Sequence, residues 1–136
     1  MRRLHSAVSR SDRGGRRPAV VQSVLRAVFV LGRHLDKGNA NPGNIGSDFN
    51  RLGVLFWTQV YTDDLENEDR RELLEDLNTW RNAIAHQDFD PSKLGGTTTL
   101  HLSRVRKWRK ACNRLALSFD KIMYTQLVVV TGSAPW

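Results

Sequence analysis

Residues 67–86 read NEDRRELLEDLNTWRNAIAH, and the fold turns on them. Asp63, Asp64, Glu66, Glu68 and Asp69 crowd the start of this stretch, where carboxylates meet the positive end of a helix dipole. Leu73, Leu77, Trp80 and Ile84 then recur at steps of four, three and four, the period that lines one face of a helix with apolar side chains. The pattern predicts a helix from Asn67 to His86, stopped by Asp90-Pro91.

Downstream, Gly95-Gly96 and residues 97–100 predict an irregular or briefly extended connector. Ser103 is expected to cap a last, long helix, on which Val105, Trp108, Cys112, Leu115, Phe119 and Ile122 alternate steps of three and four. Thr131-Gly132 and Ala134-Pro135 end it and leave residues 133–136 as a tail.

Upstream, residues 37–47 (KGNANPGNIGS) are dense in Gly and Asn and are expected to form a loop that visits left-handed backbone conformations. Ser47 would cap a helix running to about Tyr61, with Leu52, Leu55, Phe56 and Val60 facing inward and Phe49 and Trp57 beside them. Gly53 either weakens that helix or marks a close helix contact. A first helix is predicted from Pro18, with Val21, Val24, Leu25, Val28, Leu31 and Leu35 at helical spacing, although the Val-rich residues 27–31 also fit a buried strand. Residues 1–17 hold almost no large apolar side chains and are expected to be a disordered basic arm.

A chain of 136 residues, 40% hydrophobic and 26% charged, has room for one small domain, which excludes a multidomain enzyme. The arm holds six bases and one acid, whereas residues 18–136 hold 15 bases against 13 acids, so the net charge of +7 says little about the folded part. Cys112 is alone, which excludes an intrachain disulfide and a Cys-based zinc site and fits a reducing compartment. The apolar residues 19–31 are interrupted by Gln22 and Arg26, too short and too polar a run to span a bilayer. The expectation is a cytoplasmic protein with no membrane partner, no metal and no cofactor; His5, His34 and His101 lack paired ligands at metal spacing.

Four amphipathic helices without a firm strand predict an all-α fold, a small up-down antiparallel four-helix bundle over residues 18–132. Such a core is thin for a monomer, and pairing through a helix face adds buried surface, so a homodimer is expected.

The candidate chemistry lies in residues 80–86, WRNAIAH. Asn82 and His86 are four apart and share a face on which they can hydrogen-bond, while Arg81 lies roughly 140° around the helix and about 7.5 Å along it from His86. Two copies about a two-fold axis can aim two Arg and two His side chains into one cleft. An imidazole can move the protons of a ribose 2′-OH and a departing 5′-oxygen, and a guanidinium can hold the charge that builds on phosphorus. The same two residues near a helix C-terminus also serve commonly as dipole-compensating caps. Trp57, Trp80 and Trp108 lie on or near apolar stripes and are expected in the core, as is Cys112.

Arg104, Arg106, Lys107, Arg109, Lys110 and Arg114 give six bases without an acid, opposite in sign to the eight carboxylates of residues 63–76. Arg104, Lys107, Lys110 and Arg114 are thereby candidates for binding RNA phosphates, and the alternative, slightly preferred, is a solvated face that pairs with those acids within the bundle or across a dimer.

On Arg81-Asn82-Ala83-Ile84-Ala85-His86 the sequence resembles the HEPN superfamily, and from about Arg33 (RHLDKGNANPGNIG) through WRNAIAHQDFDPSKLGG to RKWRKACNRLALSFDKIM it resembles the RiboL-PSP-HEPN branch. Residues 1–32 do not follow the branch's pattern, so the first helix is atypical. The resemblance implies a metal-independent endoribonuclease that leaves a 2′,3′-cyclic phosphate. Arg81 and His86 would be its catalytic pair and Asn82 a supporting residue. It also implies a homodimer acting as a toxin or as a defence or RNA-processing factor, with an antitoxin or an RNA-repair protein as partner. Non-catalytic, RNA- or nucleotide-binding interaction modules occur in the same superfamily.

Overall fold

A computed structural model describes residues 23–24, 26–27 and 30–136 of the chain, which divides into two compact units, Met1–Arg33 and His34–Trp136. The basic arm, His5 and most of the predicted first helix, including Val21, Leu25 and Val28, lie outside the described residues. In the first unit, Ser23, Val24, Arg26 and Ala27 are helical and residues 30–32 form a turn. Gly32 has φ +75°, a conformation that ends the predicted helix before Leu35.

The second unit is all-helical, with α1 His34–Lys37, α2 Pro42–Asn50, α3 Phe56–Asp63, α4 Asn67–His86 and α5 Leu102–Thr131. The expected glycine-rich loop over residues 37–47 is half helix. Asn41 accepts a hydrogen bond from the backbone N–H of Asn44 at 2.7 Å and Pro42 opens α2, the cap-then-proline start that suits a first helical turn. Neither Gly43 nor Gly46 has a positive φ. Gly46 is required by packing instead, because a Cβ there would stand 2.9 Å from the Trp57 indole.

The predicted helix from Ser47 to Tyr61 is likewise broken. Gly53 takes φ +74° with open space around it, so it is a turn residue rather than a helix contact. The break turns Leu52 and Leu55 outward, 51% and 63% exposed, while Phe56 and Val60 remain buried as expected. Ser47 lies inside α2 and caps nothing.

α4 has the predicted bounds, and its end is set by Gln87, whose left-handed φ of 53° closes the helix before Asp90-Pro91 is reached. α5 begins after His101, which caps it without a side-chain bond, so Ser103 is already inside the helix. It ends as expected at Thr131, with Gly132 at φ +70°.

α4 and α5 form an antiparallel pair. Asn67 bonds Ser118 and Asp76 bonds Arg104, so the partner number falls as the α4 number rises, and just before α4 Asp63 is ion-paired to Lys121. Two apolar clusters fill the pair's inner face. One gathers Phe56, Val60, Leu115 and Ile122 beneath α2 and α3, and the other gathers Trp80, Ala83, Leu94 and Trp108 at the far end. Asn67, fully buried, joins three helices by donating to the Val60 carbonyl and the Ser118 hydroxyl at 2.9 Å each. Ile84, expected inside, is 53% exposed, and Ala83 takes its place in the core at 7%. Val105 and Phe119 are partly exposed, at 38% and 37%, and Ala111 and Ser118 join Trp108 and Leu115 as the buried residues between them.

Among the described residues no helix is long and apolar enough to cross a membrane.

Candidate active site

The second apolar cluster supports the C-terminal end of α4. Trp80 and Trp108 pack with ring centroids 6.5 Å apart, and Arg104 lies over both rings at 5.4 and 5.9 Å. Its guanidinium donates to both oxygens of Asp76 at 2.8 and 2.9 Å, and the Trp108 indole N–H donates to the same carboxylate at 2.9 Å. A guanidinium stacked on indoles and bidentate on a carboxylate is held in one orientation.

Leu94, 1% exposed, is the apolar pin that draws the segment after α4 back onto the helix. Between that segment and the helix lies a pocket of ≈ 290 Å³, lined by Thr79, Asn82, Ala83, His86, Asp88, Lys93 and Leu94. Thr79, Asn82, Ala83 and His86 follow the i, i+3, i+4, i+7 spacing of one helix face. Lys93 and Asp88 close the other side and are ion-paired at 2.9 Å.

Two of the three expected catalytic residues therefore meet in one pocket. The third does not: Arg81 is exposed on a neighbouring face of α4 and does not line it. That face also carries exposed Ile84 and Ala85. Among the described residues neither Arg81 nor His86 makes a hydrogen bond or an ion pair, so both have free polar atoms for a ligand. The expected Asn82–His86 hydrogen bond is absent. The Asn82 carbonyl oxygen instead accepts from the Asn39 amide at 2.6 Å, which ties the segment before α2 to the site helix.

Thr79 and Lys93 are the pocket residues that the sequence reading passed over. Thr79 was legible, seven residues before His86 on the same face. Lys93 was less so, because it arrives through a loop whose docking depends on a single buried leucine. The signal was Leu94 itself, an isolated large apolar residue between Pro91 and Gly95-Gly96.

Of the four residues expected to bind phosphate on α5, Arg104 is already committed to Asp76 and the two indoles. Among the described residues Lys107, Lys110 and Arg114 have no ion pair, and they line a groove of ≈ 330 Å³ facing Glu66 and Asp69. Cys112 is half-buried as a small apolar group, and burial pushes its thiol pKa up.

Among the described residues the fold is all-helical, and the pocket gathers an imidazole, an amide and an ammonium at the C-terminal end of α4. The chain matches no protein-family model, no curated protein and no solved structure.

Proposed function

We propose that the protein is an endoribonuclease of the HEPN kind, with a four-helix up-down bundle as the architecture it approximates, and that it cuts RNA by 2′-OH attack without a metal. The observation that carries the reading is the His86 imidazole, a group able to give and take a proton, left without a side-chain partner among the described residues in a pocket closed on its other side by the Lys93–Asp88 ion pair. His86 moves the proton of the 2′-OH or of the leaving 5′-oxygen. Arg81 holds the phosphate charge in the transition state. Asn82 acts as a strut for the pocket wall through Asn39.

Because Arg81 lies outside the pocket of its own chain, the reading requires a homodimer in which one protomer's Arg81 reaches the partner's pocket. The exposed Ile84 and Ala85 beside it supply apolar surface for that contact. The physiological role that suits such an enzyme is a toxin or a defence or RNA-processing factor, controlled by an antitoxin or accompanied by an RNA-repair protein, in the cytoplasm.

The test is cleavage of RNA in excess EDTA by purified protein. Arg81→Ala and His86→Ala should each abolish cleavage while the helical circular dichroism persists, and an all-deoxy substrate should be untouched. Mixing the two inactive variants should restore part of the activity, since a mixed dimer contains one intact composite pocket. Cleavage retained by both variants defeats the mechanism.

A second reading is favoured by one observation: within a single chain Asn82 is spent on Asn39 and Arg81 points elsewhere than the pocket. On that reading the protein is a non-catalytic helical interaction or RNA- or nucleotide-binding module. It would show no cleavage, and disrupting the dimer would matter more than replacing His86.

A further inference from the structure

The outer face of α5 carries Arg106, Arg109, Lys110 and Arg114, with Asn113 between them and Leu117 at the end, along a groove of ≈ 610 Å³. All six are exposed. Among the described residues none of the four bases has an ion-pair or hydrogen-bond partner, although eight carboxylates lie in residues 63–76 of the same chain. Four of those acids engage other bases: Asp64 and Glu66 hold Arg70, Asp76 holds Arg104, and Asp63 holds Lys121. Among the described residues the acid-pairing expected from the sequence is thus met by Arg104 alone; Lys110 and Arg114 share a second groove with Glu66 and Asp69 without pairing to them, and the groove they form with Arg106 and Arg109 has no carboxylate in its lining.

The geometry points to this face as a second polyanion site, distinct from the His86 pocket, that binds the phosphate backbone of single-stranded RNA. From Arg106 to Arg114 is about 12 Å along the helix axis, the rise of roughly three to four stacked nucleotides on one strand. Three of the four cations are arginines, whose planar fork matches two phosphate oxygens better than an ammonium does. A peptide carboxylate would satisfy the same forks. The uninterrupted run without an acid between residues 102 and 119 suits a polymer with a charge on every unit more than a sparsely acidic protein surface.

The site acts whether or not RNA is cut at His86, so its test uses a fluorescein-labelled 2′-O-methyl oligouridylate, which has no free 2′-OH to attack. Failure of this site and failure of the cleavage reading are then separate results. Fluorescence anisotropy of the full chain is measured across a salt series. Replacing Arg109 and Arg114 together by Ser removes two phosphate contacts. It should make the slope of log K against log salt shallower by about 1.4 and weaken binding about 25-fold at 0.1 M salt. Lys110→Glu should act in the same direction. Lys121→Gln, on the same helix but already neutralised by Asp63, should leave the slope unchanged.

Equal helical circular dichroism shows that the variants are folded. An unchanged slope in the double variant overturns the site and assigns RNA affinity elsewhere in the chain. RNA affinity retained while binding to poly-glutamate is lost overturns it in favour of an acidic protein, and RNA affinity retained while a dimer dissociates overturns it in favour of a second copy.

Discussion

Asn39 and Asn82 are 43 residues apart in the chain and are joined by an amide-to-carbonyl hydrogen bond of 2.6 Å. The bond fixes the segment before α2 against the face of α4 that carries His86.

An exposed amide–amide bond of this kind contributes about 0.5–1.5 kcal/mol net. Asn39→Ala and Asn82→Ala should therefore each lower stability by roughly that amount, and the double variant should cost less than the two added together. Urea unfolding of the four proteins checks it. On the cleavage reading Asn82→Ala should slow the reaction by about tenfold or less, far below the roughly 10²–10⁴-fold expected for His86→Ala.

Arg104→Ala should destabilise by about 1–3 kcal/mol, because it removes a bidentate partner from Asp76 and a stacked cation from Trp80 and Trp108. Arg104→Lys should recover little, since an ammonium cannot bridge both carboxylate oxygens and lie flat on an indole. Denaturant midpoints give the answer, and a value for Lys equal to wild type would show that the fork geometry is irrelevant.

Asn67→Ala should cost about 2–3 kcal/mol, visible as a lowered thermal midpoint. It removes two buried hydrogen bonds, to the Val60 carbonyl and to the Ser118 hydroxyl, at the junction of α3, α4 and α5.

Leu94→Ala should cost about 2–4 kcal/mol and release the segment that carries Asp88 and Lys93. Amide hydrogen exchange should then quicken over residues 88–96 more than in the α3–α5 core, and cleavage should fall with it.

Acid should unfold the protein through its paired carboxylates. Asp63 is held below the ordinary value of 3.8 by the Lys121 ammonium and the Ser118 hydroxyl, and Asp64 by the Arg70 guanidinium and the backbone N–H of Glu66. For Asp48, burial pushes up, but the backbone N–H groups of Leu35 and His34 outweigh it and the net direction is down. Folded values below unfolded ones give stability that is complete above the unfolded value and lost as pH falls through the folded one. The denaturation midpoint should thus be level down to about pH 5 and drop below about pH 4, with Asp63→Asn showing a shallower drop.

Much of this protein is written locally. The bounds of α4 and the end of α5 follow from carboxylates at a helix start, apolar steps of three and four, and a glycine at a helix end, because these act within a turn or two of chain. Asn41-Pro42 is an equally local start signal, masked by the loop-forming glycines around it. The grouping of Asn82 with His86 was legible for the same reason, being one helical turn.

What only the tertiary structure decided depends on contacts between distant residues. Gly53 is expected from the sequence to weaken a helix or mark a helix contact, and it breaks the helix instead, turning Leu52 and Leu55 to solvent while Phe56 and Val60 join Leu115 and Ile122. Leu94 enters the core beside Trp108 and so brings Lys93 to His86. Arg104 is drawn to Asp76, and the bases beyond it are left facing outward. Helical spacing ranks side chains around one axis, but the face that becomes interior is set by which neighbouring element can fill it, and that information lies tens of residues away.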